Sequence, residues 1–231
     1  MRLLLSCEHA FPIIPKPYVQ LLAGARHLLH SHRGYDIGAA EVCRGLEGMA
    51  EASFYGGCSR LLIDLNRSLH HRGVFSDYSQ HLPRAAREEI VARYYTPFRS
   101  AVLVAVEEII ARDGGVLHLS VHSFTPVLLG VVRSNDIGIL YDPRRPGEKE
   151  LARRLATALQ TIDPSLALRM NYPYRGVADG HTTALRRRCG ERGYLGLELE
   201  INQNLVMDDR GRSAVVVLLA AGLRRCGIGR G

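Results

Sequence analysis

The stretch from His118 to Pro126, HLSVHSFTP, contains the pattern on which the interpretation of this chain depends. His118, Ser120 and His122 alternate with Leu and Val before the run breaks at Ser-Phe-Thr-Pro. Alternate side chains of a β-strand point to opposite faces, so the pattern predicts a strand with two imidazoles and a hydroxyl on one face. The second imidazole, His122, would lie where the strand ends.

Four predicted strands share this design, in which an apolar body is followed directly by polar residues. They are RLLLS leading into Cys7-Glu8-His9, RLLI leading into Asp64-Leu65-Asn66-Arg67, VLHLS leading into Val121-His122-Ser123, and YLGLEL leading into Glu200-Ile201-Asn202-Gln203. Ligands of open α/β sheets bind at the carboxyl ends of the strands. Histidine, arginine and carboxylate at four such ends therefore predict one shared pocket, although each end taken alone could simply meet solvent.

Segments with helical spacing separate the predicted strands. They predict helices over residues 18–32 and 36–52, one or two helices between residues 83 and 114 with a kink near Pro97, and later helices over 146–159 and 208–226. Strands that alternate with helices indicate a single α/β domain over residues 1–231, built around a largely parallel sheet.

Composition excludes several classes of protein. No apolar run approaches the roughly 20 residues that a membrane helix needs. The five cysteines form no C-x-x-C pair, and this odd number without a framework predicts reduced thiols and a cytoplasmic protein. The formal charge of +7 comes almost entirely from scattered arginines without interleaved aromatic residues. This distribution argues against nucleic-acid binding and is equally well explained by an anionic substrate.

Two histidines and a carboxylate form a common ligand set for catalytic zinc. His9 and His122 are the candidate histidines, and the alternative for each is a hydrogen-bonded histidine near the core. His118 lies deeper in its strand and is predicted to be structural. His27, His30 and His32 lie on one face of a predicted helix and are predicted to be structural. His70 and His71 lie in a predicted loop, where they could contact substrate but are predicted to be solvated.

Two carboxylates compete for the third ligand position. Glu8 is adjacent to His9, but neighbours on a strand point to opposite faces. Asp36 opens a predicted helix, where an N-cap role would be the alternative use of the same oxygens. The residue pattern alone leaves both possibilities open.

Five motifs resemble the N-formylglutamate amidohydrolase family, particularly its branch of predicted amidohydrolases. They are SCEHA…IP, YDIGAAEV, LLIDLNR, VHSFTPV and LELEINQNL, and they match in order from Ser6 to Leu205. This family is similar in turn to the zinc carboxypeptidases and to the aspartoacylase and succinylglutamate desuccinylase group. The resemblance implies a three-layer domain of the zinc-carboxypeptidase/phosphorylase-hydrolase type, with a mixed, largely parallel central sheet flanked by helices.

The resemblance also implies roles for individual residues. His9 and His122 match metal ligands, Asn66 and Arg67 match a pair that binds a substrate carboxylate, and Glu200 matches the catalytic base. The chain departs from the related enzymes three residues after His9, where it has proline instead of a glutamate ligand. The resemblance therefore implies Asp36 as the carboxylate ligand, with Glu8 as the reserve ligand or base. The segment NYPYRGVADGHTT resembles the family's substrate-recognition loop, which implies contacts from Arg175, Asp179 and Thr183.

These expectations describe an amidohydrolase with one Zn²⁺ per chain, or another divalent metal, acting on an N-acyl amino acid such as N-formylglutamate or a similar small acidic amide. Two alternatives remain from the sequence. One is a metallopeptidase that acts on a peptide or a cell-wall fragment, and the other is a non-catalytic protein that binds metal or nucleic acid. A homo-oligomer is compatible with the sequence but not specified by it.

Overall fold

The computed structural model describes residues 1–191 and 193–229. Its strands are β1 (Arg2–Cys7), β2 (Ala52–Tyr55), β3 (Val116–Phe124), β4 (Val127–Leu128), β5 (Val131–Val132), β6 (Ile137–Leu140), β7 (Leu168–Met170) and β8 (Tyr194–Asn202). Six of them form one sheet in the order β2-β1-β3-β8-β6-β7, whereas β4 and β5 pair as a small antiparallel hairpin. Within the six-stranded sheet only the β6–β8 pair is antiparallel.

The α-helices are α1 (Arg26–Leu29), α2 (Ala39–Gly45), α3 (Arg84–Ile90), α4 (Thr96–Asp113), α5 (Pro146–Ile162), α6 (His181–Cys189) and α7 (Asp209–Arg225). Short 3₁₀ turns occupy Lys16–Leu22, Glu47–Met49 and Gln203–Leu205, and a π-helical turn at Val91–Tyr95 joins α3 to α4. The main apolar core packs α2, α5 and α7 on one face of the sheet, and a second cluster packs α4 and α6 on the other. The predicted three-layer α/β fold with a mixed, largely parallel sheet is therefore confirmed.

The alternating pattern of β3 explains how the sheet is built. All nine residues of this strand are buried, and Leu117, Leu119 and Val121 belong to the main core beside α2, α5 and α7. The polar residues alternate with these and therefore point to the opposite face. On the neighbouring strand, Leu197 and Leu199 join the same core. The two central strands thus carry their polar side chains on one common face.

The predicted strand at residues 60–66 is wrong. This segment forms turns, and its apolar residues pack in a separate cluster with Tyr18, Ile90 and Tyr95 instead of joining the sheet. The strand that the sequence did not predict is β2, which begins at Ala52, the last residue of a segment predicted to be helical. A short apolar run fits a strand and a buried loop equally well, so its periodicity could not separate them.

Two predicted helices are shorter in the structure. Residues 18–32 contain only the 3₁₀ turn and the single turn of α1, and residues 36–52 contain α2 followed by a 3₁₀ turn. The long segment before Gly114 is divided at the π turn, directly before Pro97, and ends at Gly114 in a left-handed conformation as expected. No helix in the described part of the chain combines the length and apolar character that would be needed to cross a membrane.

Gly138 of β6 provides a test of the packing near the polar ends of the strands. A Cβ atom at this position would overlap the carbonyl oxygen of Tyr172 and come within 3.3 Å of Cβ of Glu200. We expect Gly138→Ala to lower the free energy of unfolding by about 1–3 kcal/mol, the usual cost of overpacking. Urea unfolding measures this effect. Gly48→Ala is the control because nothing lies within 4 Å of the added carbon, and equal effects of the two substitutions would contradict the packing argument.

Candidate metal centre and active site

A polar pocket of about 150 Å³ lies at the carboxyl ends of β1, β3 and β8. Its wall contains three arginines, Arg60, Arg67 and Arg175, together with the carboxylates of Asp36, Asp179, Glu198 and Glu200. The position agrees with the general rule for α/β sheets, in which ligands bind beyond the carboxyl ends of the strands.

His9, Asp36 and His122 meet at the inner wall of this pocket. His9 directly follows β1, Asp36 precedes α2, and His122 lies near the end of β3. One ligand atom from each residue lies within 4.8 Å of the others, and all three side chains are buried. Oδ2 of Asp36 is 2.8 Å from Nδ1 of His122 and 3.3 Å from Nδ1 of His9.

The second nitrogen of each imidazole has its own partner. Nε2 of His9 is 2.7 Å from Oδ1 of Asp64, and Nε2 of His122 is 2.8 Å from the hydroxyl of Ser120. Both nitrogens of His9 face carboxylates, which accept hydrogen bonds when ionised. The proton of a neutral ring is assigned to Nε2 because that contact is the shorter one, 2.7 Å against 3.3 Å. The Nδ1 lone pair of His9 then faces Asp36. A neutral His122 with its proton on Nε2 presents its Nδ1 lone pair to the same oxygen.

Two nitrogen lone pairs beside a carboxylate oxygen require a positive charge between them, either protons or a metal ion. Without metal, burial alone lowers the pKa of His122, but the hydrogen bond and charge of Asp36 raise it to about 10. Two nitrogens and one oxygen, each oriented by a further polar partner, also match the donor set and the outer contacts of catalytic zinc sites. The residues present therefore fit a divalent metal.

Arg60 is a member of the site that the sequence interpretation missed. Its guanidinium donates to Oδ2 of Asp64 at 2.9 Å and to Oδ1 of Asp36 at 3.4 Å. In a strand, residues four apart would be separated by about 13 Å, so the erroneous strand at 60–66 hid the pairing of Arg60 with Asp64. In the observed turn the two side chains meet, and the arginine holds both carboxylates.

Glu200 lies on β8 directly beside His122 of β3 in the sheet register. The residue is only 6% exposed, and among the described residues Oε2 has no hydrogen-bond partner. Burial, supported by the charges of Asp36 and Glu198, raises the pKa of Glu200 to about 8 against the opposing effect of His122. Glu198 differs because it accepts a hydrogen bond from the hydroxyl of Thr182.

Four of the predicted substrate-binding residues lie on two loops that line the pocket, namely Asn66, Arg67, Arg175 and Asp179. Nη1 of Arg67 donates to the carbonyl oxygen of Asp179 at 2.7 Å, and Oδ2 of Asp179 accepts from the backbone N–H of Ser68 at 2.9 Å. Asn66, which also lines the pocket, accepts from the backbone N–H of His181 at 2.7 Å. These contacts join the loop after residue 63 to the loop before α6.

Comparison with known proteins places this geometry in a family. The sequence profile of N-formylglutamate amidohydrolase matches residues 1–207. The chain belongs to the N-formylglutamate amidohydrolase family. The crystal structure of a gene product from Agrobacterium tumefaciens is similar, with 30% sequence identity and a TM-score of 0.84 over 97% of this chain and 90% of that one.

The crystal structure of N-formylglutamate amidohydrolase from Ralstonia eutropha shares the fold, with 20% sequence identity and a TM-score of 0.71 over 97% of this chain and 92% of that one. Curated proteins gave no match to the chain. Membership of the N-formylglutamate amidohydrolase family identifies the chain as an amidohydrolase, a hydrolase that acts on carbon–nitrogen bonds.

The structure places some, but not all, of the predicted substrate-binding residues in the wall of the pocket. Asn66, Arg67, Arg175 and Asp179 line the pocket, whereas Thr183 does not and instead donates to the carbonyl oxygen of Ala178 at 2.8 Å. Glu8 also lies outside the pocket wall, fully buried behind it. Thr183 therefore does not line the pocket, and its contact with substrate stays a prediction; Glu8, the reserve ligand or base, lies outside the cluster of His9, Asp36 and His122.

The remaining histidines fall into two groups. His118 is fully buried between Ser6 and Tyr194, and burial lowers its pKa to about 3, which agrees with a neutral structural role. His181 begins α6 and is buried against Glu8 at 2.9 Å, a contact that no local sequence pattern could reveal because the two residues are 173 positions apart. The surface histidines predicted to be solvated or structural are exposed at positions 27, 30, 32 and 70 and partly buried at 71.

The raised pKa of Glu200 predicts a pH-dependent contribution to stability. Between the ordinary value of 4.5 and about 8, the folded protein retains a proton on Glu200 that the unfolded chain releases, so this contribution falls as pH rises. Glutamine keeps the shape but cannot ionise. In metal-free protein, we therefore expect the wild type to lose stability relative to Glu200→Gln as the pH rises. The unfolding free energy of the variant minus that of the wild type should be greater at pH 8 than at pH 5 by more than about 1 kcal/mol.

Urea unfolding at the two pH values, with a chelator present, measures this difference. Glu150→Gln is the control for an exposed glutamate on the surface of α5. A difference between Glu200→Gln and wild type that does not change with pH would show that burial does not perturb this carboxyl group.

Proposed function

We propose that the protein is a zinc-dependent amidohydrolase that cleaves the amide bond of an N-acyl amino acid, such as N-formylglutamate, or of a similar small acidic amide. One observation carries the proposal: Nδ1 atoms of two histidines converge on Asp36 in a pocket that also contains Glu200, a buried carboxyl with an unpartnered oxygen. Membership of the amidohydrolase family supports the same reaction class.

His9, Asp36 and His122 would hold the ion, one per chain. Zinc suits this mixture of nitrogen and oxygen donors, although other divalent metals such as manganese or iron accept it too. Bound there, the ion would act as a Lewis acid that polarises the amide carbonyl and activates water at neutral pH.

Glu200 is the residue that moves the proton. Its Oε2 has no hydrogen-bond partner in the described part of the chain, and its pKa of about 8 lies near neutrality, where a group can both accept and release a proton. Glu200 takes a proton from the attacking water and returns it to the amide nitrogen, which leaves as an amine. Its register partner on β3 is His122, so the base lies beside the metal ligands.

Arg67 is the anchor for a substrate carboxylate. Its planar guanidinium can form two parallel hydrogen bonds with a carboxylate, and the contact with the Asp179 carbonyl holds the side chain in position. Arg175 adds a second cation to the pocket wall. The small volume of about 150 Å³ favours a small acidic amide over an extended peptide.

Substrate preference tests the proposal directly. The zinc-loaded protein should hydrolyse members of a panel of N-acyl amino acids, with free acids preferred to their carboxamides. Arg67→Lys should lower kcat/KM for the acids at least about tenfold more than for the carboxamides, because lysine lacks the planar fork.

Arg93→Lys, at a largely exposed position on the π turn, is the matched control. Absence of turnover across the whole panel by protein with measured stoichiometric zinc would refute the amidohydrolase proposal. Equal losses on acids and carboxamides would instead make Arg67 a structural residue that holds Asp179.

Glu200→Gln tests the proton-transfer step. We expect the variant to retain zinc and its fold but to lose on the order of 10²-fold or more in kcat, the usual contribution of a general acid–base group. Glu198→Gln should lose less, since Glu198 already shares a hydrogen bond with Thr182. Steady-state kinetics with zinc content measured on the same samples gives the answer; near-normal turnover in zinc-replete Glu200→Gln would assign the base to another residue.

A further inference from the structure

A buried polar network centred on Glu8 lies behind the metal centre and is not used by the proposed reaction. Oε1 of Glu8 accepts a hydrogen bond from the hydroxyl of Ser6 at 2.8 Å and is 2.9 Å from Nδ1 of His181. Oε2 accepts from the hydroxyl of Ser120 at 2.6 Å. Glu8 is fully buried, so every one of these partners belongs to the protein interior.

The charge of Glu8 determines the direction of these hydrogen bonds. A glutamate carboxyl is ordinarily ionised at neutral pH, and three groups that can donate hydrogen bonds, the hydroxyls of Ser6 and Ser120 and Nδ1 of His181, surround this one. An ionised carboxylate has no proton to donate. The hydroxyl protons of Ser6 and Ser120 must therefore point towards Glu8.

This direction is transmitted to the metal centre through Ser120. Because the Ser120 proton points to Glu8, the oxygen of Ser120 presents a lone pair to Nε2 of His122, which is 2.8 Å away. Nε2 of His122 then carries the proton that completes this bond, since the competing donor, Nδ2 of Asn66, is more distant at 3.5 Å. In the neutral ring this leaves the lone pair on Nδ1, the nitrogen that faces Asp36.

The other arm of the network has the same polarity. The Ser6 hydroxyl donates to Glu8 and therefore accepts from Nε2 of His118 at 2.7 Å. Nδ1 of His118 is then an acceptor, and it lies 2.8 Å from the hydroxyl of Tyr194, which donates. Once Glu8 is taken as the acceptor, the donor and the acceptor of every hydrogen bond in this arm are determined. A single anionic acceptor at Glu8 is therefore sufficient to orient the whole arm.

We infer that Glu8 is a positioning residue for the metal centre: through Ser120 it keeps the proton of His122 on Nε2 and so keeps Nδ1 available to a metal ion. This inference rests on the proposed metal-dependent function. It gives Glu8 a role different from that of a ligand or a base, since Glu8 acts on the ion only through the orientation and tautomer of His122.

The substitution Glu8→Gln should reverse the direction of the hydrogen bonds made by Ser120. The introduced amide NH₂ group can donate to Ser120, whose own proton is then free to point at Nε2 of His122. The ring proton would move to Nδ1, where it competes with the metal. Loss of such an outer partner typically weakens metal binding about 10–100-fold, and this is the loss expected for Glu8→Gln.

Zinc dissociation constants, obtained by competition with a chelator at a temperature where each protein is folded, test the inference. Glu148→Gln is the matched control because Glu148 is equally buried and is held by Arg186 at 3.0 Å, yet does not line the pocket. It should lower stability without changing zinc affinity. His122→Ala removes a proposed ligand and should give the largest loss of zinc affinity in the series.

Ser120→Ala tests the link separately. It should weaken zinc about two- to tenfold, the value of one hydrogen bond, because the direct separation of 3.4 Å between Glu8 and His122 is a poor substitute. The double variant should bind zinc no more weakly than Glu8→Gln alone, since both changes act on one pathway. In the zinc-loaded wild type, ¹H–¹⁵N NMR should detect a slowly exchanging Nε2 proton on His122 that exchanges faster in Glu8→Gln.

The possible outcomes distinguish the proposed metal centre from the positioning role of Glu8. Absence of zinc binding by the wild type would overturn the metal centre and this inference together. Zinc binding by the wild type with unchanged affinity in Glu8→Gln would overturn only the inference. If Glu8→Gln does not fold, an unchanged affinity and an unchanged His122 Nε2 proton signal in Ser120→Ala would overturn it as well.

Discussion

The parallel pairing of β3 with β8 is the constraint on which the rest of the structure depends. In this register His122 lies beside Glu200 and Ser120 lies beside Glu198, while Leu119 and Leu197 are paired in the core. A slip of one residue would turn a whole strand over, exposing its leucines and burying its carboxylates in the apolar layer. The hydrophobic effect that packs α2, α5 and α7 against the sheet therefore also determines which side chains reach the pocket.

The polar face of the sheet carries a high density of buried charge, and each charge needs a partner. Burying an unpaired ionised group costs many kcal/mol, so carboxylates in the interior persist only with cations or hydrogen-bond donors. Arg60 holds Asp64 and Asp36, two histidines flank Asp36, and His181 with two serines satisfies Glu8. Glu200 is the exception, since its Oε2 remains without a partner among the described residues. A buried carboxyl with a raised pKa loses stabilising free energy as the pH rises towards that pKa, and its protonation near neutral pH suits the proton transfer proposed for Glu200.

The network also explains why neighbouring residues have different tasks. Glu8 and His9 are adjacent in the chain, yet His9 faces the pocket and Glu8 lies behind it. Strand geometry predicted that their side chains would diverge. It could not predict that Glu8 would contact Ser120 and His181, because those partners come from β3 and α6, which only the folded sheet brings together.

The sequence by itself determined the α/β class, most of the strands and helices, the family, and three of the four strand ends that were predicted to form the pocket. These features follow from local periodicity and from motifs whose spacing is visible along the chain. The tertiary structure decided the rest: that residues 60–66 form a turn in which Arg60 reaches Asp36 and Asp64, that Thr183 lies outside the pocket, and that Glu8 contacts Ser120, which in turn contacts His122. The physical reason is the same in each case. Whether a short apolar run becomes a strand, and which buried donor meets which carboxylate, depends on neighbours that are distant in sequence and are brought close only when the core is packed.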